Sequence, residues 1–356
     1  MRRVILNLHL FTALLTAAFI MIQGITGSIL AFEPELDRAF HAHLTYVRPE
    51  SQSLPLSKLG ESVSQQLGGE RVVAYAPSTS SNISFEVLLP SGVAYVNQHT
   101  GELLGVRARG QTFLGYVKAL HVRLGDGAIG KNILRWSAVA ALVSVISGLY
   151  LWWPMRRISI RAKGDFRRFS FDLHNVVGIY SVVPLTLLAA SGIILGFEDQ
   201  AAFLIYHLTQ SNPTQVVSRL PYVAATAKPF IDVDAAVTIA RSLMPGTVPY
   251  RVQMPQYGGL YQVALLDPKD RITGSRNIVA LNPVDGTVVS ISRAADLSRG
   301  DWILAANEAV HTGDVLGLPS RIVAGLTSIF VVIQALSGAF IWFFRSRTRP
   351  VVRAAS

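Results

Sequence analysis

Hydrophobic positions in this chain are bunched into four long runs, 4–32, 134–154, 173–197 and 322–344, that are almost free of charge. Each is long enough to cross the hydrocarbon core of a bilayer, which takes about 20 helical residues. Arg135, at the start of the second run, can snorkel outward. The length of the first run and its Glu33-Pro34-Glu35 exit predict an uncleaved anchor and not a signal peptide. Between the runs the pattern changes. Leu56–Leu67 has the period of a short amphipathic helix. Alternating segments follow at Arg71–Tyr75, Ile83–Leu89 and Val93–Asn97, then the turn His99-Thr100-Gly101 and Glu102–Val106. The later interval is similar. Asp232–Met244 reads as a helix with Asp232 at its N-cap. Tyr250–Met254, Leu260–Leu266, Asn277–Asn282, the turn Val284-Asp285-Gly286 and Thr287–Ile291 come after it. A polar turn ending in glycine between alternating runs signals a hairpin.

The predicted fold class is an α+β integral membrane protein. Four transmembrane helices form two parallel repeats, each with a small exported domain made of a helix and an antiparallel sheet. The expected boundaries are helix 1 at 1–32, an exported domain at 33–133, helix 2 at 134–154 and a loop at 155–172. Helix 3 at 173–197, a second exported domain at 198–320, helix 4 at 321–344 and a tail at 345–356 complete the chain.

Composition agrees with this plan. Half of the 356 residues are hydrophobic and 15% are charged, less charge than a soluble domain carries. The net charge of +10 has a topological source. Arg2 and Arg3 precede the first run. Arg156, Arg157, Arg161, Lys163, Arg167 and Arg168 fill the second connection, and Arg345, Arg347, Arg349 and Arg353 follow the last run. The remaining 20 basic and 21 acidic residues, leaving out Asp165 of that connection, nearly cancel. Short flanking segments rich in Lys and Arg stay cytoplasmic, so both termini and the 155–172 loop are expected inside an inner membrane. A nucleic-acid partner would not confine the basic residues to helix ends. No cysteine is present, which excludes disulfides, thiolate-ligated haem, iron–sulfur clusters and covalent haem attachment.

Candidate chemistry lies in a histidine pattern that occurs twice. His9 and His174 open two apolar runs; Gly27 and Gly192 follow them at equal intervals, and Glu33 and Glu198, again at equal intervals, end the runs. His121 and His311 are followed at matching intervals by Gly127 and Gly317, by Gly148 and Gly338, and by Trp152 and Trp342. Ionisable groups inside a membrane are costly and mark function. Neutral imidazole is a haem-iron ligand. A hydrocarbon core about 30 Å thick separates His9 from His121. The expected pairs are therefore His9 with His174 for an inner haem and His121 with His311 for an outer one. Lone interfacial histidines bonded to water or lipid would be the plainer reading, and the matched spacing argues against it. Gly27, Gly148, Gly192 and Gly338 are read as clearance for a flat porphyrin or as close helix packing. Tyr150, Trp152, Trp153 and Trp342 fall where an aromatic belt belongs. His41, His207, Glu33 and Glu198 are candidates for an outer substrate or metal site, against solvated amphipathic helices. Arg107, Arg109, Lys118 and Arg123 are candidates for steering an anionic chelate. His99, in a hairpin turn, is expected to be exposed. The segments Phe113–His121 and Asp301–His311 are read as amphipathic, the first leading into Gly125-Asp126-Gly127.

Several motifs resemble those of the PepSY-associated transmembrane family of bacteria, which includes iron-regulated membrane proteins and ferric-siderophore reductases. They are Leu8-His9, Phe171-Asp172-Leu173-His174, Ser147-Gly148-Leu149-Tyr150-Leu151-Trp152-Trp153-Pro154, His311-Thr312-Gly313-Asp314 and Ser337-Gly338-Ala339-Phe340-Ile341-Trp342. The turns Asn97–Glu102 and Asn282–Thr287 resemble the PepSY hairpin. The resemblance implies PepSY-like exported domains, two non-covalent b-type haems, and reduction of a periplasmic acceptor such as a ferric siderophore. Some relatives carry a cytoplasmic flavin reductase after the last helix. This chain ends soon after it, so the expected donor is a separate cytoplasmic reductase or a membrane quinol. Two rival expectations are a haem wire to another periplasmic acceptor and a cofactor-free PepSY sensor or protease regulator.

Overall fold

The computed structural model describes all residues except 79, 109–111, 126, 157, 162–164, 215–230, 257–258, 274–275 and 348–356, and leaves the side chains of 345–347 undescribed. Arg109, Asp126, Arg157, Lys163, Arg349 and Arg353 therefore lie outside the described residues, as do the side chains of Arg345 and Arg347. Backbone N–H and C=O groups in hydrocarbon must be paired within their own segment, which a helix achieves. Four helices of suitable length do so: α1 (Arg2–Leu30), α6 (Gly127–Trp152), α7 (Phe166–Gly196) and α11 (Leu318–Arg347). Their most apolar stretches have mean hydropathies of 2.1, 1.6, 2.0 and 2.0. Large apolar side chains such as Phe11, Tyr180 and Val183 point outward, each about two-thirds exposed, as lipid-facing residues do.

The chain divides into two compact units. One comprises residues 1–33, 113–203 and 307–356. Within it the four long helices form a ring in which α1 touches α6 and α11, and α7 touches the same two. Small residues permit the close approaches. A Cβ on Gly24 would lie 2.6 Å from the Ser328 carbonyl oxygen of α11, and one on Gly196 would lie 2.8 Å from Arg135 Cβ of α6. The Gly192-x-x-x-Gly196 step thus serves packing at its second glycine. A shorter helix, α5 (Phe113–Arg123), lies against α1 and α6. The long helices begin earlier than hydropathy alone predicts. α7 starts at Phe166, where the Asp165 side chain accepts from the Arg167 N–H, and α6 starts at Gly127.

The other unit comprises residues 34–112 and 204–306. Eight strands form one antiparallel sheet in the order β4-β3-β2-β1-β5-β6-β7-β8. They are β1 (Ala74–Ala76), β2 (Phe85–Leu88), β3 (Gly92–Val96), β4 (Leu103–Ala108), β5 (Val248–Gln253), β6 (Tyr261–Leu266), β7 (Asn277–Leu281) and β8 (Val288–Ser292). The sequence suggests a separate sheet in each interval. In the structure the two four-stranded halves join edge to edge, with Ala74 opposite Gln253 and Tyr75 opposite Val252. That junction hides two edges that would otherwise present unpaired backbone groups. The halves also share one core. Leu59 and Val63 of α4 (Leu56–Gln66) and Ala236 and Ala240 of α9 (Val233–Leu243) are buried in one cluster with Val87, Val96, Val252, Val263, Val279 and Leu281. Full burial of each Leu or Val contributes about 1.5–3 kcal/mol. Asp234 of α9 ties the halves further: its carboxylate accepts from the Leu56 and Ser57 N–H groups at 2.7 and 3.0 Å, capping α4 from outside. Asp232 caps α9 itself by accepting from Ala235 N–H at 2.7 Å, as its position in the sequence predicts.

His99 departs from expectation. It is buried at 8% exposure, because residues 50–53 fold over the turn; Nδ1 and Nε2 lie 2.6 and 2.8 Å from the carbonyl oxygens of Gln52 and Ser81. The Glu50 N–H also approaches Nε2, at 3.4 Å, but the two shorter contacts are to acceptors and favour the ring with both nitrogens protonated; these bonds raise its pKa, the one to Gln52 most. The folded value lies above the unfolded value of about 6.5, so this contribution is fully present below that pH and is lost as pH rises through the folded pKa. His99→Ala should therefore lower the thermal midpoint more at pH 6 than at pH 9 in detergent. An equal loss at both would show that the imidazolium is not what the turn holds.

Candidate functional site: two histidine pairs in the helical bundle

In the bundle unit, His9 of α1 and His174 of α7 face one another with ring centroids 6.3 Å apart at 80°. His121 of α5 and His311, from the C-terminal turn of α10 (Arg299–Thr312), lie 6.2 Å apart at 48°. All four rings, together with Gly27, Gly148, Gly192 and Gly338, line one cavity of about 620 Å³. Its other walls are mostly apolar, including Leu14, Ala17, Ala141, Val182 and Leu185. The interval from His9 to Thr26 along α1 equals that from His174 to Ser191 along α7. At about 1.5 Å of rise per residue the two pairs are about 26 Å apart along the bundle.

Each ring sits on a hydroxyl-plus-glycine step of a neighbouring helix. His9 Nδ1 lies 3.1 Å from Ser147 Oγ and 3.0 Å from the Ser144 carbonyl oxygen. His174 Nδ1 lies 3.0 Å from Ser337 Oγ, His121 Nδ1 2.9 Å from Thr26 Oγ1, and His311 Nδ1 3.0 Å from Ser191 Oγ. The glycine after each hydroxyl makes room for the ring. A Cβ on Gly148, Gly338, Gly27 or Gly192 would come within 3.2 Å of Cε1 of His9, His174, His121 or His311 respectively. These four glycines therefore clear space first for the histidines.

The hydroxyls favour one tautomer. Thr26, Ser147, Ser191 and Ser337 each donate their single proton to the carbonyl four residues earlier, at 2.6, 2.7, 2.7 and 2.6 Å. With that proton so committed each accepts toward the imidazole, an arrangement that favours hydrogen on Nδ1 and a lone pair on Nε2; at His9 the Ser144 carbonyl, which can only accept, favours it as well. No hydrogen bond to Nε2 of these four rings occurs among the described residues. Burial keeps the pair outside the long helices neutral. It lowers the pKa of His121 to about 4, with nearby His311 adding to the effect, and lowers that of His311 as well. Two amide side chains brace the backbone: Gln23 Nε2 donates to the His121 carbonyl and Gln334 Nε2 to the His174 carbonyl, both at 2.7 Å.

Neutral imidazoles with free Nε2 are metal donors. Two imidazoles bound through nitrogen at about 2.0–2.1 Å on opposite sides of one ion place their centroids roughly 6.3–6.5 Å apart. The observed spacing of 6.3 Å falls at the edge of that range and that of 6.2 Å just below it. Among the described residues no three His, Asp, Glu or Cys side chains gather around a common point, so the chemistry available is that of two-histidine sites.

Glu33 lies 3.7 Å from Lys118, and both line the cavity with His121. His41 is tied to Asp37 at 3.2 Å and to Arg107 at 2.9 Å, in the sheet unit. Glu198 and His207 are exposed on α8 (Glu198–Thr209), and Arg123 is exposed on α5. Arg107 is engaged by Asp37 at 2.9 Å. Trp153 and Trp342 are exposed, and Trp152 turns into the cavity. The roles of Thr26, Ser147, Ser191, Ser337, Gln23 and Gln334 are not apparent from the sequence, although Ser147 and Ser337 stand in its motifs. Their signal is a Ser/Thr-Gly step once in each apolar run. Their role was hidden because each partner histidine is 95 to 163 residues away.

The family model for the PepSY-associated TM region matches residues 6–345. The Pseudomonas aeruginosa "Uncharacterized protein PA4219" is 24% identical over 256 residues, 66% of this chain and 64% of that protein. The chain thus spans just under two thirds of the length of this curated relative. With a match across nearly its full length, the chain belongs to the PepSY-associated transmembrane family.

Proposed function

We propose that this protein carries electrons across the bacterial inner membrane through two non-covalent b-type haems. His9 and His174 would hold the inner haem, and His121 and His311 the outer one. The observation that carries the reading is the pair of imidazole couples, each seated by Nδ1 on a hydroxyl and spaced for a shared ion. Bound haem would supply one-electron chemistry between Fe(III) and Fe(II). The chain's own part is to hold each Nε2 unprotonated, to fix ring orientation, and to keep water out with an apolar lining. Glycines beside the rings and a cavity of about 620 Å³ provide the space; cofactor sites span about 300–1,000 Å³. Arg2, Arg3, Arg156, Arg161, Arg167 and Arg168 cluster near the ends of α1, α6 and α7 that adjoin His9 and His174. The positive-inside rule makes that end cytoplasmic. The acceptor in this reading is a ferric siderophore in the periplasm. Reduction to Fe(II) weakens binding by hard oxygen ligands and frees the metal.

The test is an absorption spectrum of the detergent-purified protein, oxidised and dithionite-reduced, with a haem-to-protein ratio. Sharp b-type bands at about two haems per chain are expected for bis-histidine sites. A colourless protein expressed with ample haem would overturn the reading and favour a cofactor-free sensor or regulator. Within this reading, Ser337→Ala should keep the haem content and raise the midpoint potential of the inner site alone. The lost acceptor makes His174 a less basic ligand, which favours the ferrous state. A potentiometric titration checks this, and an unchanged inner potential would remove the hydroxyl from the tuning of the site.

A further inference from the structure

At the end of the bundle that holds His9 and His174 there is a second cavity, of about 340 Å³. It lies between the start of α7 and the last turns of α11, and is lined by Asp165, Phe166, Arg167, Phe340 and Phe344. Its aromatic walls hold one another in place. Phe166 meets Phe340 edge to face with centroids 4.7 Å apart at 85°, and Phe340 and Phe344 lie 4.3 Å apart at 36°. One side is polar: the Asp165 carboxylate and Arg167 are exposed there, just before the apolar run begins. The position relative to the inner histidines is close. Phe166 precedes His174 by eight residues on the same helix, about 12 Å of helical rise. Phe340 is two residues beyond Gly338, against which the His174 ring packs.

Phe166, 61% exposed, leaves a ring face on which a flat ring can stack, and the acid and the guanidinium suit the hydroxyl and carbonyl groups of that ring. Because the slot is built from two membrane-spanning helices, a ligand with a long apolar tail reaches it from the lipid. We propose that this slot binds a membrane quinol and is where electrons enter the protein, an inference that rests on the di-haem reading above. The quinol loses two electrons and two protons and becomes the quinone. The electrons would pass one at a time to the haem that His9 and His174 would hold, and the protons would leave to water beside Asp165. Two ferric acceptors are reduced for each quinol oxidised.

Photolabelling with an azido-benzoquinone tests occupancy directly, on protein prepared both with and without haem. Label is expected in the peptides containing 165–169 and 340–344, and excess decylubiquinol should displace it. Stopped-flow mixing of haem-loaded protein with decylubiquinol, without oxygen, tests the transfer. Phe166→Leu and Phe344→Leu should each slow haem reduction by roughly tenfold or more, with haem content and the dithionite-reduced spectrum unchanged. Label confined to other peptides, label not displaced by the competitor, or wild-type reduction rates in both variants would overturn the proposal. If a variant fails to fold, the labelling pattern of the wild-type protein decides alone. Protein that binds no haem but labels in the slot would remove the di-haem reading and leave the slot standing. Haem-loaded protein that neither labels there nor accepts electrons from the quinol would do the reverse.

Discussion

On the di-haem proposal, His174→Ala should yield a protein with about one haem per chain where the wild type should hold about two, and the haem that remains should be the one proposed for His121 and His311. His174 belongs only to the inner pair, 6.3 Å from His9. The outer pair has its own seats on Thr26 and Ser191, about 26 Å further along the bundle by helical rise. Alanine removes the Nε2 donor and leaves the Ser337 hydroxyl and the Gly338 space in place. Added imidazole should enter the vacated space and restore the second haem with a six-coordinate spectrum. That rescue separates a missing ligand from a misfolded bundle. His121→Ala should give the mirror result, leaving the inner haem. Two haems retained in either variant would remove that histidine from the ligand set, and loss of both in a variant that keeps its fold would deny that the sites are independent.

Gly338→Val should also cost the inner haem, although no ligand is touched. A Cβ at this position would lie 3.2 Å from His174 Cε1, inside the optimal carbon–carbon separation of about 3.5–4.0 Å. Alanine asks the ring to move by a few tenths of an ångström. Valine adds two branched carbons and must push the ring off its seat, breaking the 3.0 Å contact between Nδ1 and Ser337. Overpacking of this kind costs about 1–3 kcal/mol in a close-packed interior. Haem-to-protein ratios and thermal midpoints across Gly338→Ala and Gly338→Val should therefore fall in that order. Gly192→Val should do the same to the outer site through His311. Full haem in the valine variants, with wild-type spectra, would mean that the glycines serve helix packing only.

Much of the fold was legible because its constraints are local. A helix crossing lipid must be apolar along about 20 residues, and that condition is visible in composition alone. Alternation marked all eight strands to within a few residues, since side chains of a half-buried strand must point to two different environments. The turns ending in Gly101 and Gly286 have φ of +77° and +73° there, a conformation glycine adopts without strain. The pairing of the histidines was also legible, since equal spacing in two halves and the thickness of a bilayer leave one assignment.

Other features depend on partners distant in the chain. Joining the two half-sheets is a matter of backbone ladders between β1 and β5, and backbone groups are the same in every sequence. His99 is buried because two separate segments, at Gln52 and Ser81, each supply a carbonyl, not because of anything in its own turn. The aromatic slot beside His174 brings together the start of one long helix and the end of another, far apart in the chain.

The sequence by itself therefore determined the membrane class, the eight strands and the four histidines that meet in pairs. Each of these follows from one residue's own solvent preference or from regular spacing. Only the tertiary structure decided which nitrogen of each imidazole stays free. A serine or threonine whose proton is already committed to its own helix must accept from Nδ1 of a ring on another. The direction of that hydrogen bond exists only once the helices are packed together.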